Sequence, residues 1–179
     1  MQDNKLETES IAKVPSILDV SPFKEIDTKT VTNELLEKIL SRDNMNLAFK
    51  RVKANKGASG IDNMIVDELL QYLKENGEQI KKNIREGKYN PKAVRRVEIP
   101  KADGSKRKLG IPTVVDRVIQ QAIAQQLSII YEPIFSENSY GFRPNRSCHD
   151  AIQKAKEIMN SGYKWVVDLD LEKFFDTVN

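Results

Sequence analysis

Asp168 and Asp170 stand two residues apart in Trp165-Val-Val-Asp-Leu-Asp170. In an extended chain that spacing puts both carboxylates on one face. The residues beside them are apolar, and a carboxylate leaving a core there calls for a cation or hydrogen bonds, because unpaired buried charge is costly. Mg²⁺ takes carboxylate and phosphate oxygens together. Two exposed acids opening a loop are the plainer alternative. A second group is cationic. Lys101 precedes the turn Ala-Asp-Gly-Ser105, and Lys106, Arg107 and Lys108 follow it. A tight turn gathers these side chains, and strand alternation faces Arg107 away from its neighbours. Fixed cations of this kind clamp a triphosphate, with Arg bonding bidentately. Equally, charged hairpin edges discourage aggregation. Third, Ser139-Tyr-Gly-Phe-Arg-Pro-Asn-Arg146 mixes aromatics, Arg and Gly, as single-strand and RNA-binding surfaces do.

The net charge of +3 is small until it is located. Residues 81–117 hold twelve Lys or Arg against four acids, whereas residues 1–31 hold four Lys against six acids. Concentrated positive charge suits a polyanion, although a solvated basic face has the same composition. One Cys and one His exclude a Cys/His zinc site, and the lone Cys148 fits a reducing compartment. Cys148 and His149 read as packing and capping residues after Ser147. The start lacks a signal-peptide pattern, and no apolar stretch approaches the roughly 18 residues of a membrane span. The expected location is a bacterial-type cytoplasm.

Several elements must position these groups. Residues 1–31 read as a polar, disordered arm with a short sticky element at Ile17-Leu-Asp-Val20. Leu35, Leu36, Ile39 and Leu40 predict a helix, and Ser41 or Asp43 caps a second one carrying Leu47, Phe49 and Val52. Asn55-Lys-Gly-Ala-Ser-Gly60 breaks the pattern. Val66, Leu69, Leu70 and Leu73 predict a third helix that Gly77 interrupts. Ile80 and Ile84 then continue a short basic helix to about Gly87. Residues 94–111 predict the hairpin, with Val97 and Ile99 facing one way. A long helix runs from Val114 to about Phe135, with Val115, Ile119, Ala122, Ile123, Gln126 and Ile130 on one face and Asp116 in its first turn. Ser147 caps a helix through Met159. Lys164–Asp170 predicts a strand with Trp165 in the core.

Four segments together resemble group II intron-encoded reverse transcriptases. Asn44 to about Asp62, ending Asn-Lys-Gly-Ala-Ser-Gly-Ile-Asp, is similar to their amino-terminal extension. Val97 to Ile123, beginning Val-Glu-Ile-Pro-Lys-Ala-Asp-Gly-Ser-Lys-Arg, resembles the first fingers block. Ser139 to Ser147 resembles the second. Val166-Val-Asp-Leu-Asp-Leu-Glu-Lys-Phe-Phe-Asp176 resembles the third, which carries polymerase motif A. The resemblance covers roughly residues 36–179.

It implies an α+β fold, namely the helix-rich fingers of a right-hand polymerase with a β-hairpin and the first palm strand. The expected division is an arm over 1–31, extension helices over 32–62, fingers over 63–161 and the truncated start of a palm over 162–179. Asp170 matches the metal-binding and catalytic aspartate, and the Leu171 carbonyl a further ligand for Mg²⁺. Asp168 falls off the usual ligand position. Lys101 and Arg107 match the pair that holds the incoming nucleotide's phosphates, and Phe174 the ring beneath its sugar. Phe175 reads as packing. The helix holding Lys81, Lys82, Arg85 and Lys88, the strand residues Arg95 and Arg96, and the loop residues Arg143, Pro144 and Arg146 would meet RNA or template. The implied partners are group II intron RNA, an RNA template with DNA primer, and dNTP. A homodimer through the fingers or an exposed palm edge is also expected. The family's Tyr-x-Asp-Asp motif does not occur in these 179 residues, so the chain alone is expected not to polymerise. The alternatives are a non-catalytic RNA-binding module, or a related enzyme of another host system such as a CRISPR-associated one.

Overall fold

The computed structural model describes residues 28–102, 104–171 and 174. Helix α1 runs Thr28–Leu40, α2 Arg42–Asn55 and α3 Leu69–Arg85. Strands β1 (Arg95–Pro100) and β2 (Lys106–Ile111) follow, then α4 (Val114–Tyr131) and α5 (Cys148–Asn160). The chain is therefore mixed: five helices and one two-stranded antiparallel sheet among the described residues.

Chain chemistry sets most boundaries. Ser41 caps α2, its side chain accepting from the Asn44 amide at 3.4 Å. The helix ends where Lys56 turns left-handed at φ 46°. Thr113 caps α4, and Ser147 with Asp150 forms a reciprocal capping box on α5. Gly60 ties the loop after α2 to the start of α4. A Cβ there would lie 2.6 Å from the Thr113 Cα, so any side chain forces the two backbones apart.

The core lies where α4 crosses α2 and α1. Ala48 of α2 and Ala122 of α4 are fully buried, and Val114 and Val118 of α4 belong to the same buried cluster as Leu69 of α3. Small side chains let α2 and α4 approach closely. Within this apolar contact sits Asn44. Its Nδ2 donates to the carbonyls of Ile39 (2.8 Å) and Ala122 (3.0 Å), and its Oδ1 accepts from the Gln125 and Gln126 amides at 2.7 and 2.8 Å. The full hydrogen-bonding capacity of one side chain thus joins three helices.

Several expectations need correction. Gly77 does not interrupt α3, because the apolar stripe Leu69, Leu73, Ile80, Ile84 continues through it, and packing outweighs the glycine's low propensity. The α4 core face is rotated from the expected one: Val114, Val118 and Gln125 are buried, while Ile123 and Ile130 are exposed. That helix also ends at Tyr131, with turns after it. Residues 164–170 form no strand, and Trp165 is 93% exposed rather than core. A strand needs a neighbour to bond its backbone, and among the described residues β1 and β2 pair only with each other. The expected arm overlaps α1 by four residues, and its remainder, 1–27, lies outside the described residues, as does Phe175.

Candidate nucleic-acid interface

The hairpin register fixes which charges share a face. Ile99 pairs with Arg107, Val97 with Leu109 and Arg95 with Ile111. Directly opposed residues point to the same side of an antiparallel sheet, so these six form one face. Lys101 donates its amide to the Ser105 carbonyl at 2.7 Å, extending the pairing by one step. Alternation then places Lys101 on the Arg107 side, diagonally across the hairpin. The opposite face carries Arg96, Lys106 and Lys108 around one acid, Glu98, with Lys106 2.8 Å from it. Gly104 makes the turn at φ 80°, a backbone state that other residues resist. Arg96 lies on the open surface, whereas Arg95 sinks its Nε out of solvent with no hydrogen-bond partner among the described residues.

A network behind the hairpin holds the start of α4. Asp116 is 3% exposed. Its carboxylate accepts from the Tyr89 hydroxyl (2.6 Å), the Thr113 hydroxyl (2.5 Å) and the Lys92 amide (3.3 Å). Burial, and then the bond to Asp116, pushes the Tyr89 phenol well above its ordinary value. The carboxylate therefore anchors the segment entering the hairpin to the helix leaving it. Sequence reasoning placed Asp116 only as a helix-dipole residue. The Thr-x-x-Asp spacing was the available signal for a cap, and Tyr89 gave none.

Lys81, Lys82 and Arg85 of α3, and Lys88 just after it, are each engaged. Lys81 pairs with Glu78 at 2.9 Å, Lys82 with Glu86 at 4.0 Å and Lys88 with Glu86 at 2.8 Å. Arg85 grips Glu37 of α1 bidentately at 2.7 and 2.8 Å. That bond holds the Glu37 carboxyl below the usual range. Exposed pairs such as these are individually weak, so a phosphate can compete for the cation.

Arg143 is placed differently. Its side chain is 7% exposed. Nε and Nη2 bond Glu132 at 3.0 and 2.7 Å, Nη1 donates to the Ser136 and Ser139 carbonyls, and Nη2 also reaches the Glu132 carbonyl. All five donors are spent inside the loop. The guanidinium also lies 5.2 Å from the Phe135 ring centroid, and its hydrogen bond lowers the Glu132 carboxyl. Arg146 stacks over Tyr140 at 5.4 Å and donates to the Glu137 carbonyl. The loop so fixed holds Phe142 wholly in solvent at φ 55°, beside exposed Pro144. Arg143 thus shapes the loop, and the surface it offers is Phe142, Pro144 and the Arg146 edge.

Asp168, Asp170 and Leu171 lie in the exposed run after α5, paired to neither strand, and Phe174 is half-exposed. The Asp170 carboxylate and the Leu171 carbonyl are oxygen donors of the kind Mg²⁺ takes. Among the described residues no group of three His, Cys, Asp or Glu could hold a metal. These two neighbours would hold one only together with further oxygens. The hairpin therefore puts Lys101 and Arg107 on one face, and Asp170 is not joined to the sheet. No described helix is long and apolar enough to cross a membrane.

Comparison with known proteins gives the class. Residues 99–179, from β1 through the acidic run, match the reverse transcriptase (RNA-dependent DNA polymerase) family. Over 161 residues, 89% of its length, the chain is 37% identical to the group II intron-encoded protein LtrA of Lactococcus lactis, and covers 26% of that relative. It is 32% identical over 177 residues to the putative COX1/OXI3 intron 2 protein of Saccharomyces cerevisiae, covering 97% of this chain and 20% of the relative. Nuclear intron maturase 1, mitochondrial, of Arabidopsis thaliana is 28% identical over 113 residues, 63% of this chain and 14% of that one. The chain belongs to the group II intron-encoded reverse transcriptase and maturase family. It spans about a quarter or less of the length of these curated relatives.

Proposed function

We propose that this chain forms the fingers and the start of the palm of an RNA-directed DNA polymerase that also serves as an intron maturase. The observation that carries this is the hairpin register, which sets Lys101 and Arg107 on one face within the segment matching reverse transcriptases. Two cations so fixed suit the triphosphate of a dNTP, and Phe174 would lie under its sugar, where a ring excludes a 2′-hydroxyl. Asp170, with the Leu171 carbonyl, would supply part of an Mg²⁺ site, whose bound ions stabilise the attacking and leaving oxygens of nucleotidyl transfer. The protein's own work here is to hold phosphates and template. Residues 32–62 are read as the amino-terminal extension, 63–161 as fingers and 162–179 as the start of the palm.

Intron RNA and a template–primer would lie against the α3 cations Lys81, Lys82 and Arg85, Lys88 just beyond them, the strand residues Arg95 and Arg96, and the loop of Pro144 and Arg146. Arg143 would act by holding that loop. The exposed run Trp165–Leu171 would pair with further palm structure or with a second copy, and the proposed location is the bacterial cytoplasm. Primer extension tests the catalytic part. With an RNA template, DNA primer, dNTP and Mg²⁺, the 179-residue chain should extend nothing, because Asp170 stands without the two aspartates of a Tyr-x-Asp-Asp motif. Template-dependent extension by this chain would overturn the reading.

A further inference from the structure

A groove of about 200 Å³ lies between α2 and α3. Met45, Phe49 and Leu73 line it with apolar surface; Arg42, Lys74 and Lys81 line it as cations beside one acid, Glu78, which pairs with Lys81 at 2.9 Å, so Arg42 and Lys74 carry the net positive charge. Gly77 opens its α3 wall. A glycine inside a helix weakens that helix relative to alanine. Here no described neighbour requires it, since a Cβ at Gly77 meets nothing within 4 Å. What the glycine does provide is depth, leaving room for a chain to approach the helix backbone.

Chemistry on this chain matches the groove. Residues 1–27 hold six acids and three lysines, opposite in balance to the rim. Within them Ile17-Leu18-Asp19-Val20 sets three aliphatic side chains around one carboxylate, the pairing that an apolar floor with a cationic rim accepts. The reach is sufficient. Thr28 opens the 13-residue α1, which rises about 1.5 Å per residue, roughly 20 Å in all. Extended chain covers about 3.3 Å per residue, so the eight residues from Val20 to Thr28 span roughly 26 Å. Arg42, on the groove rim, begins α2 two residues after α1 ends.

We infer that Ile17-Leu18-Asp19-Val20 of this same chain docks in the α2–α3 groove, its aliphatic side chains over Met45, Phe49 and Leu73 and its carboxylate toward the Arg42 and Lys74 rim. The inference does not depend on the polymerase reading. A benzophenone placed next to the segment tests it: Ser21→Cys in a Cys148→Ser background, labelled, irradiated and mapped by mass spectrometry on the full chain. Cross-links should fall within the same chain on residues 42–49 and 70–81, with a yield independent of protein concentration. Gly77→Met fills the groove and strengthens the helix, so its circular dichroism should be unchanged while the yield drops about tenfold, equivalent to ~1.4 kcal/mol. Cross-links to other elements would overturn the inference. So would cross-links between copies that grow with concentration, which assign the groove to a second copy. So would protection of the groove by a single-stranded RNA while residue 21 cross-links elsewhere.

Discussion

Asn44 offers a sharp test of how the helices are held. Its side chain makes four hydrogen bonds: two to main-chain carbonyls on α1 and α4, and two from Gln125 and Gln126. Asn44 and Gln125 are each 7% exposed, so water replaces little of this when the amide is removed. At about 1 kcal/mol net for each bond, Asn44→Ala should cost ~3–4 kcal/mol. Gln125 retains its bond to the Asn44 carbonyl at 3.1 Å, which keeps the loss from growing further. Asn44→Asp should be worse, because it sets carboxylate oxygens against two carbonyl oxygens in a buried site. Urea unfolding followed by circular dichroism reads both. With a slope of about 1–3 kcal/mol/M, the Ala variant should shift the midpoint down by roughly 1–4 M. A loss below about 1 kcal/mol, the worth of a single bond, or an Asp variant as stable as the Ala one, would refute the view that this amide clasps the three helices.

Other consequences are read the same way. Tyr89→Phe removes the 2.6 Å bond to the buried Asp116 carboxylate and should cost ~1.5–3 kcal/mol in urea unfolding. Gly60→Ala puts a methyl 2.6 Å from the Thr113 Cα and should cost ~1–3 kcal/mol, seen as a lower Tm. Glu37, Glu132 and Asp150 have carboxyl values lowered on folding. Their contributions are therefore present above the ordinary values of 4.5, 4.5 and 3.8 and fade as pH falls through the folded values. The Tm should drop on acidification below those values, and Glu37→Gln with Glu132→Gln should flatten the profile. Arg96→Ala should weaken single-stranded RNA binding alike for different sequences and reduce its salt slope by about 0.7, measured by fluorescence anisotropy.

What was legible in the sequence was local. Asp103-Gly104 between alternating segments marked the hairpin, and Ser147 marked the α5 cap, because both devices are complete within a few residues. Asn44 was not legible: its partners lie roughly eighty residues away on α4, and an isolated Asn in a helix reads as surface. Arg143 looked like a surface cation because composition does not say whether its donors turn outward or into their own loop. The Val166–Asp170 run has the alternation of a strand, but a strand is a property of two segments, and no described segment pairs with it. Gly77 misled for the opposite reason, a local weakness overruled by the stripe on either side of it.

The affinity of the full chain for a single-stranded RNA, measured across salt concentration, tests the central claim most directly. Binding through the hairpin, α3 and the Arg146 loop predicts that log K falls linearly with log salt, with a slope of about −0.7 for each phosphate neutralised. Lys101→Ala with Arg107→Ala should make that slope shallower. Affinity that does not change with salt, or a slope that the hairpin variants leave untouched, would contradict the assignment of this face to nucleic acid.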